Sequence, residues 1–595
     1  MAANIFLMWR RTPDDRLEPD QVATKLQQIF APLFSGSLEL TIRQNSATAM
    51  VYLELPMRGW SAPLFQEDEE NWAVAPDYPV NAGAALSAKE KDFSSILPAL
   101  GRSLQANPFQ LLRRLAPPFS LAWCSKLTGE AFVQNDGLGQ AQLFEYEKGR
   151  LFAVTNRLFA LKALGISLEP VAEEWAARWT LNWFPKNTSG YKSVRFVGPG
   201  TQLHFSTHGI TRATHDVLRE WIIPDHKSRE DLAELARSSL LSVIKSVAPL
   251  WKKKPTLLLS GGWDSRAVAS SLKYLGLEFT GKVTGLPGRP DVIVASELAK
   301  IGGLDLEIDS SGGLPPENLD DCRRSISLAL LWEAGYRVTR KHKLFLNGKK
   351  DKHLGRGSPK LSGKHGEIGR GFYSTKWDTE TEALKQESRF VERMMEHMPR
   401  FTREHLRDSV RDMISDAYAQ ADEYGFKGLQ RLDFFYLYER NRRLVSGSHS
   451  AKTGLVITPF LNPDYISASF SLPNFEKVAN PFHRHIIEKN TPEWASIPYA
   501  ASLPEEELES EEMPYTENQQ RWRQPTGYRN YDNRLYWENL AKPLFDECLR
   551  SSGFWTEVFD PDLARRKRWS DDADDLVITC LLPETLEGNA LRPQI

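Results

Sequence analysis

The residues best placed to do chemistry lie in 256–270, TLLLSGGWDSRAVAS. Apolar and β-favouring residues run into Ser260-Gly261-Gly262, then Asp264-Ser265, then small and apolar residues at helical spacing. A buried strand that ends in two glycines and opens a helix gathers backbone N–H groups and the positive end of a helix dipole at one point. Such a point is an anion site. Gly261 and Gly262 let the backbone come close to an oxygen, and Ser260 and Ser265 add hydroxyl donors. Asp264 cannot bind a phosphate directly, so its fitting role is to hold a Mg2+ that bridges phosphate oxygens. The G-x-x-x-x-G-K-[ST] pattern is absent, so no lysine reaches a γ-phosphate from this loop. A glycine-rich turn without a ligand is the plain alternative, and the serines and aspartate at these offsets argue against it.

A parallel sheet must carry this loop. The segment SREDLAELARSSLLSVIKSVAPLW opens with Ser228, has Glu230 and Asp231 in its first turn and repeats apolar residues at three-to-four spacing, a capped helix. Strand TLLL, helix 264–275, strand EFTGKVTG, helix DVIVASELAKIGG and strand LDLEID then alternate, which predicts a parallel α/β sheet. From 1 to about 215 the text reads as short strands. Segment 38–55 alternates, 119–136 turns at Thr128-Gly129, and 143–156 turns near Lys148-Gly149. From about 376 to 445 long helical runs dominate, and the acidic stretch 502–520 reads as a solvated loop.

S-G-G-x-D-S resembles the pyrophosphate loop of enzymes that cleave ATP between the α and β phosphates, shared by tRNA thiolation enzymes, NAD and GMP synthetases, argininosuccinate synthetase and asparagine synthetase. Three further stretches make residues 100 to 500 similar to the asparagine synthetase family. Asp136-x-x-Gly139 with the strands and helix after it, and VGPGTQLHF behind them, resemble its glutaminase segment. SGKHGEIGRGFY keeps the frame of G-x-G-x-D-E-x-x-x-G-Y with Gly363 and Tyr373 at the matching ends. Pro459-Phe460-Leu461-Asn462 stands where the family has PFLD. The resemblance implies a multi-domain α/β chain. Residues 1–215 would be an Ntn-hydrolase-like (glutaminase-like) αββα sandwich, and 216–595 a parallel-sheet synthetase domain with added helices. It also implies ATP and Mg2+, with Leu258, Ser260, Gly261, Gly262, Asp264, Ser265 and Val283 around the nucleotide. Asp264 and Glu367 would hold the metal, and Lys364 and Glu367 would be catalytic.

The departures matter as much. The family hydrolyses glutamine with a cysteine exposed after Met removal, whereas Met1 is followed by Ala2-Ala3; alanine carries no nucleophile, so no glutaminase activity is expected. Lys364 stands where relatives carry a Glu or a catalytic Tyr. It would act as a base only with a strongly lowered pKa, and otherwise would stabilise charge building on an adenylate. His365 reads as a loop residue rather than a metal ligand. Arg266 replaces a small residue and is free to reach a phosphate or pair with an acid. Asp291 fits either a helix cap or an acid of the site. Tyr436, Tyr438, Arg440 and Arg443 would lie on or near one face of a helix leading toward the site, where core packing and surface solvation account for them.

At 595 residues the chain needs two or three domains, and 41% hydrophobic with 26% charged residues is an ordinary globular balance. Lys and Arg number 75 against 77 acids, so no nucleic-acid or membrane partner is expected. The 4 cysteines form no C-x-x-C pair, which argues against zinc and suits a reducing cytoplasm. No secretory signal and no apolar run near the ~20 residues of a membrane span is found, so a cytoplasmic location is expected. The expected function is ATP-dependent amide formation through an acyl-adenylate. The partners would be a small-molecule or peptide carboxylate and ammonia or an amine, in a possible homo-oligomer. Intramolecular closure of the lasso-peptide or β-lactam kind, and a catalytically idle nucleotide-binding subunit, are the alternatives.

Overall fold

The computed structural model describes residues 4–12, 17–34, 38–55, 59–86, 95–224, 227–285, 288–309, 319–335, 358–446, 455–502, 542–551 and 553–566. Ala2, most of the acidic 502–520 stretch and the basic run 348–357 therefore lie outside the described residues.

Residues 4–214 build two six-stranded antiparallel sheets. The first has the order Val194–Phe196, Phe144–Lys148, Leu151–Thr155, Asn4–Arg10, Thr48–Glu54, Glu39–Gln44. The second runs Gly209–Thr214, Thr201–Ser206, Ala131–Asn135, Ser120–Ser125, Asn71–Asp77, Phe65–Glu67. Both hairpins expected from sequence are present, turning through Gly149 at φ 62 and Gly129 at φ 70, backbone that glycine enters without a Cβ penalty. Period-two alternation along Asn4–Arg10 sorts its side chains. Phe6 and Met8 join Met50, Tyr52, Val74 and Val133 in one core, while Ile5, Leu7 and Trp9 face Val22, Leu26 and Phe30 of helix Pro19–Phe30. Helix Ile96–Ala106 lies on the second sheet, where a Cβ on Gly101 would collide with Trp123. The layers run helix, sheet, sheet, helix.

The third sheet is parallel throughout, ordered Asp305–Asp309, Thr280–Thr284, Thr256–Leu258, Lys360–Ser362, Val456–Ile457. Helix Arg229–Val247 precedes it, capped by Ser228 Oγ accepting from the Asp231 amide at 3.2 Å. Near the start of the helical stretch expected over 376–445 the chain is broken into Glu380–Glu387 and Phe390–Met395: Ser388 Oγ bonds back to the Lys385 carbonyl at 2.8 Å, and Arg389 leaves helical dihedrals at φ -109, ψ 14. Helix Leu429–Phe435 passes directly into a π-helix, Tyr436–Val445. The two sheet systems meet closely: Tyr191 Oη donates to the Ala334 carbonyl at 2.7 Å and the Ser61 amide to the Leu250 carbonyl at 2.9 Å.

Candidate functional site

Strand Thr256–Leu258 is the pivot of the parallel sheet. The next two strands in sequence add to one side of it, and the two after those add to the other. Open parallel sheets bind ligands beyond the carboxyl ends of their strands where the order reverses in this way. Two turns face each other at that reversal, Ser260–Ser265 and 363–370. Their approach depends on glycine: a Cβ on Gly363 would collide with the Ser265 backbone nitrogen, and one on Gly366 with the Asp264 carboxylate.

The loop binds much of its own backbone. Ser260 N–H donates to Ser265 Oγ at 3.0 Å, Gly262 N–H to Ser260 Oγ at 3.3 Å, and Gly261 N–H to Asp291 Oδ1 at 2.8 Å. Asp291 sits in the first turn of helix Pro290–Gly302, whose N-cap is Arg289, so it is an acceptor for the loop rather than a cap. Helix Trp263–Tyr274 begins at Gly262 with no side-chain cap, and residues 262–264 are only half-buried. That leaves a helix N-terminus facing the crevice. One wall is the strap 494–500. Tyr499 stacks on Trp263 with ring centroids 3.4 Å apart, and the Ala500 amide donates to the Gly261 carbonyl at 3.1 Å. Arg266 fixes that strap: its guanidinium donates to the Ile497 and Pro498 carbonyls, each at 2.7 Å, and lies 3.9 Å over Tyr499. Its side-chain partners among the described residues are these carbonyls and the Tyr499 ring rather than an acid.

A charged cluster fills the crevice floor. Asp264 Oδ2 is 3.1 Å from an Arg370 nitrogen and Oδ1 is 2.8 Å from His483 Nε2. Burial lowers the His483 pKa, with the hydrogen bond to Asp264 and its charge opposing the shift. Glu367 is pushed up from the usual carboxylate range by burial and then by Asp264, against the pull of Arg370 and a hydrogen bond from Tyr436. Glu367 Oε2 and Arg370 Nε are buried with no hydrogen-bond partner in the protein. His365 is fully buried in a left-handed conformation, φ 75, its Nδ1 bonded to Asn441 Oδ1. Its pKa falls to about 3, chiefly through burial.

Ser260, Gly261, Gly262, Asp264, Ser265 and Glu367 come together where the two turns meet. Leu258 ends the pivot strand and Val283 lies buried in its neighbour. Lys364 is half-buried on the second turn, its amide donating to Ser362 Oγ at 3.3 Å. Asp136, in contrast, orders a turn: its carboxylate accepts the amides of Leu138, Gln140 and Ala141 at 2.8–3.1 Å. Sequence reasoning missed Arg370, His483 and Asn441. Arg370 could have been found, one helical turn beyond Glu367; His483 arrives from helix Pro481–Asn490 with no local signal.

Among the described residues no group of three or more His, Cys, Asp or Glu side chains could hold a metal ion by itself. A Mg2+ carried in with phosphates needs only one or two protein carboxylates. Asp264 and the neighbouring Glu367, whose Oε2 is buried without a hydrogen-bond partner, would be those two, with an Arg370 nitrogen 3.1 Å from Asp264 Oδ2 adding positive charge.

No protein-family profile matches the chain, and no curated protein matches it. Several solved structures align with it, among them these two. A structure described as the allosteric regulatory enzyme of purine biosynthesis is 12% identical over 51% of this chain and 64% of its own, with a TM-score of 0.26. The glutamine phosphoribosylpyrophosphate amidotransferase from B. subtilis, complexed with ADP and GMP, is 13% identical over 51% and 65%, with a TM-score of 0.25. The chain spans a little under two thirds of the length of each. Overlays at that score establish no common fold.

Proposed function

We propose that the chain is an asparagine-synthase-like, AMP-forming carbon–nitrogen ligase that uses ATP to activate a carboxylate for attack by ammonia or a substrate amine. The observation that carries this reading is the position of the loop: an uncapped helix N-terminus between two closely apposed glycine turns, at the strand reversal among the described strands of the parallel sheet. In the reaction the carboxylate oxygen attacks the α-phosphorus, the bond to the bridging oxygen breaks, and pyrophosphate leaves. The amine then attacks the acyl carbon, AMP departs, and a proton passes from nitrogen to a base. The first-turn amides near Gly262 and Asp264 would stabilise the pyrophosphate, and Arg370 would balance charge that Asp264 alone would repel. Glu367, with its raised proton affinity, suits the proton acceptor, and Lys364 at the rim suits charge stabilisation. Holding the reactants in line is worth roughly 7–11 kcal/mol of barrier. An Ntn-hydrolase-like fold for the paired antiparallel sheets, without glutamine hydrolysis, belongs to the same proposal.

The test is pyrophosphate release with AMP detection across candidate carboxylates and amines. AMP formation lost in Asp264→Ala supports the reading; ADP as the only product, or AMP unaffected by that change, refutes it. A second reading, a nucleotide-binding subunit that does not turn over, is favoured by one observation: Arg370 and His483 occupy Asp264. Tight ATP binding without turnover on any carboxylate–amine pair would select it.

A further inference from the structure

The crevice is held from outside the parallel sheet. π-Helices are rare and usually a single turn long, yet Tyr436–Val445 runs for 10 residues. Its residues divide between two tasks. Tyr436 stacks on Phe372 with ring centroids 4.6 Å apart, Asn441 bonds the His365 imidazole, and Arg440 lies 4.8 Å over Phe372, so one set grips the 363–373 turn. The other set grips the loop 185–187 of the antiparallel-sheet part of the chain. Glu439 Oε2 accepts the Lys186 amide at 3.0 Å, Arg443 Nε donates to the Lys186 carbonyl at 2.7 Å and its terminal nitrogen to Asn187 Oδ1 at 2.8 Å. Arg442 reaches the same Lys186 carbonyl at 3.2 Å. Glu439, Asn441, Arg442 and Arg443 are all 2% exposed or less.

Both gripped residues are held in conformations that side chains disfavour. Lys186 has φ 54 and His365 has φ 75, each a non-glycine residue in the left-handed region. Such residues persist only where their surroundings over-determine them. Here both are bonded by side chains of one element, Glu439, Arg442 and Arg443 at Lys186 and Asn441 at His365. A shift of the 185–187 loop therefore moves Glu439 and Arg443, which share a helical segment with Tyr436 and Asn441.

We infer that Arg443, Glu439 and Asn441 are positioning residues, and that the 185–187 loop sets the placement of the 363–370 turn through them. The antiparallel-sheet part of the chain is in this sense a component of the crevice. The inference rests on the ligase reading only for the identity of the ligand.

Hydrogen exchange of the full chain tests it. Asn187→Ala removes one bond at the far end of the π-helix, and Arg443→Ala removes two. Both should accelerate exchange of the 362–370 amides, by about tenfold for Arg443→Ala, with helix Arg407–Glu423 unchanged. Arg443→Lys, which can still reach the Lys186 carbonyl, should restore part of the protection. Asn441→Ala should accelerate 362–370 and leave 185–190 at the wild-type rate. If Arg443→Ala fails to fold, Asn187→Ala decides the matter. Acceleration confined to 185–190, with 362–370 at the wild-type rate, overturns the inference. ATP affinity read on the same variants separates the two readings: wild-type protein that binds no nucleotide sinks the ligase, while the exchange pattern still answers for the positioning residues.

Discussion

Asp291 occupies the place where an incoming phosphate would want its first amide. Its carboxylate accepts the Gly261 N–H at 2.8 Å, so a bound anion meets a full negative charge already parked beside the loop. The change Asp291→Asn removes that charge and keeps an oxygen to accept the amide. Taking a phosphate oxygen at about 6 Å and, because Asp291 is exposed, an effective dielectric between about 80 and 40, the repulsion is about 0.7–1.4 kcal/mol per unit charge. The variant should therefore bind pyrophosphate or ATP about three to ten times more tightly. Titration calorimetry at low salt measures it, and the difference should shrink at high salt as screening closes the range of the interaction. An unchanged or weaker affinity in folded Asp291→Asn at low salt would show that the anion does not sit on this loop.

Further outcomes follow from the same geometry. Gly366→Ala drives a methyl into the Asp264 carboxylate and should destabilise the fold by about 1–3 kcal/mol in denaturant titrations; an unaltered midpoint would mean the two turns are not apposed. Arg266→Ala leaves the Ile497 and Pro498 carbonyls unpaired and should cost about 2–4 kcal/mol, read by the same titrations. The pH dependence has a worked sign. His365 has its pKa depressed from 6.5 to about 3, so its neutral form contributes stability present above pH 6.5 that is lost as pH falls toward 3. Between pH 6.5 and 5 this group alone should remove about 2 kcal/mol, and His365→Asn, which tolerates the left-handed backbone, should flatten the slope. A slope identical in the variant would count against a buried neutral His365.

Local pattern determined a good deal of this protein. The two hairpins, the Ser228-capped helix and the strand–loop–helix around Ser260–Ser265 all depend on neighbours within a few residues, where turn glycines, caps and period-two or 3.6-residue repeats act directly on the backbone. The break at Ser388 and the passage into a π-helix at Tyr436 escaped notice, because both segments keep helical composition and differ only in which carbonyl each amide reaches. The order of the parallel strands, and with it the reversal that makes a crevice, was undetermined by periodicity, since an alternating strand–helix text fits several orders. The partners of Asp264 were set at longer range still. Arg370 lies in a stretch that spacing had aligned with the loop, but His483 comes from a helix far along the chain, and Asp291 and Asn441 reach the two turns from separate elements. Sequence carries which charges exist; only the packed chain decides which of them are brought within 3 to 4 Å in a place too dry to leave them unpaired, because the energy of a charge depends on its surroundings and not on its neighbours in the chain.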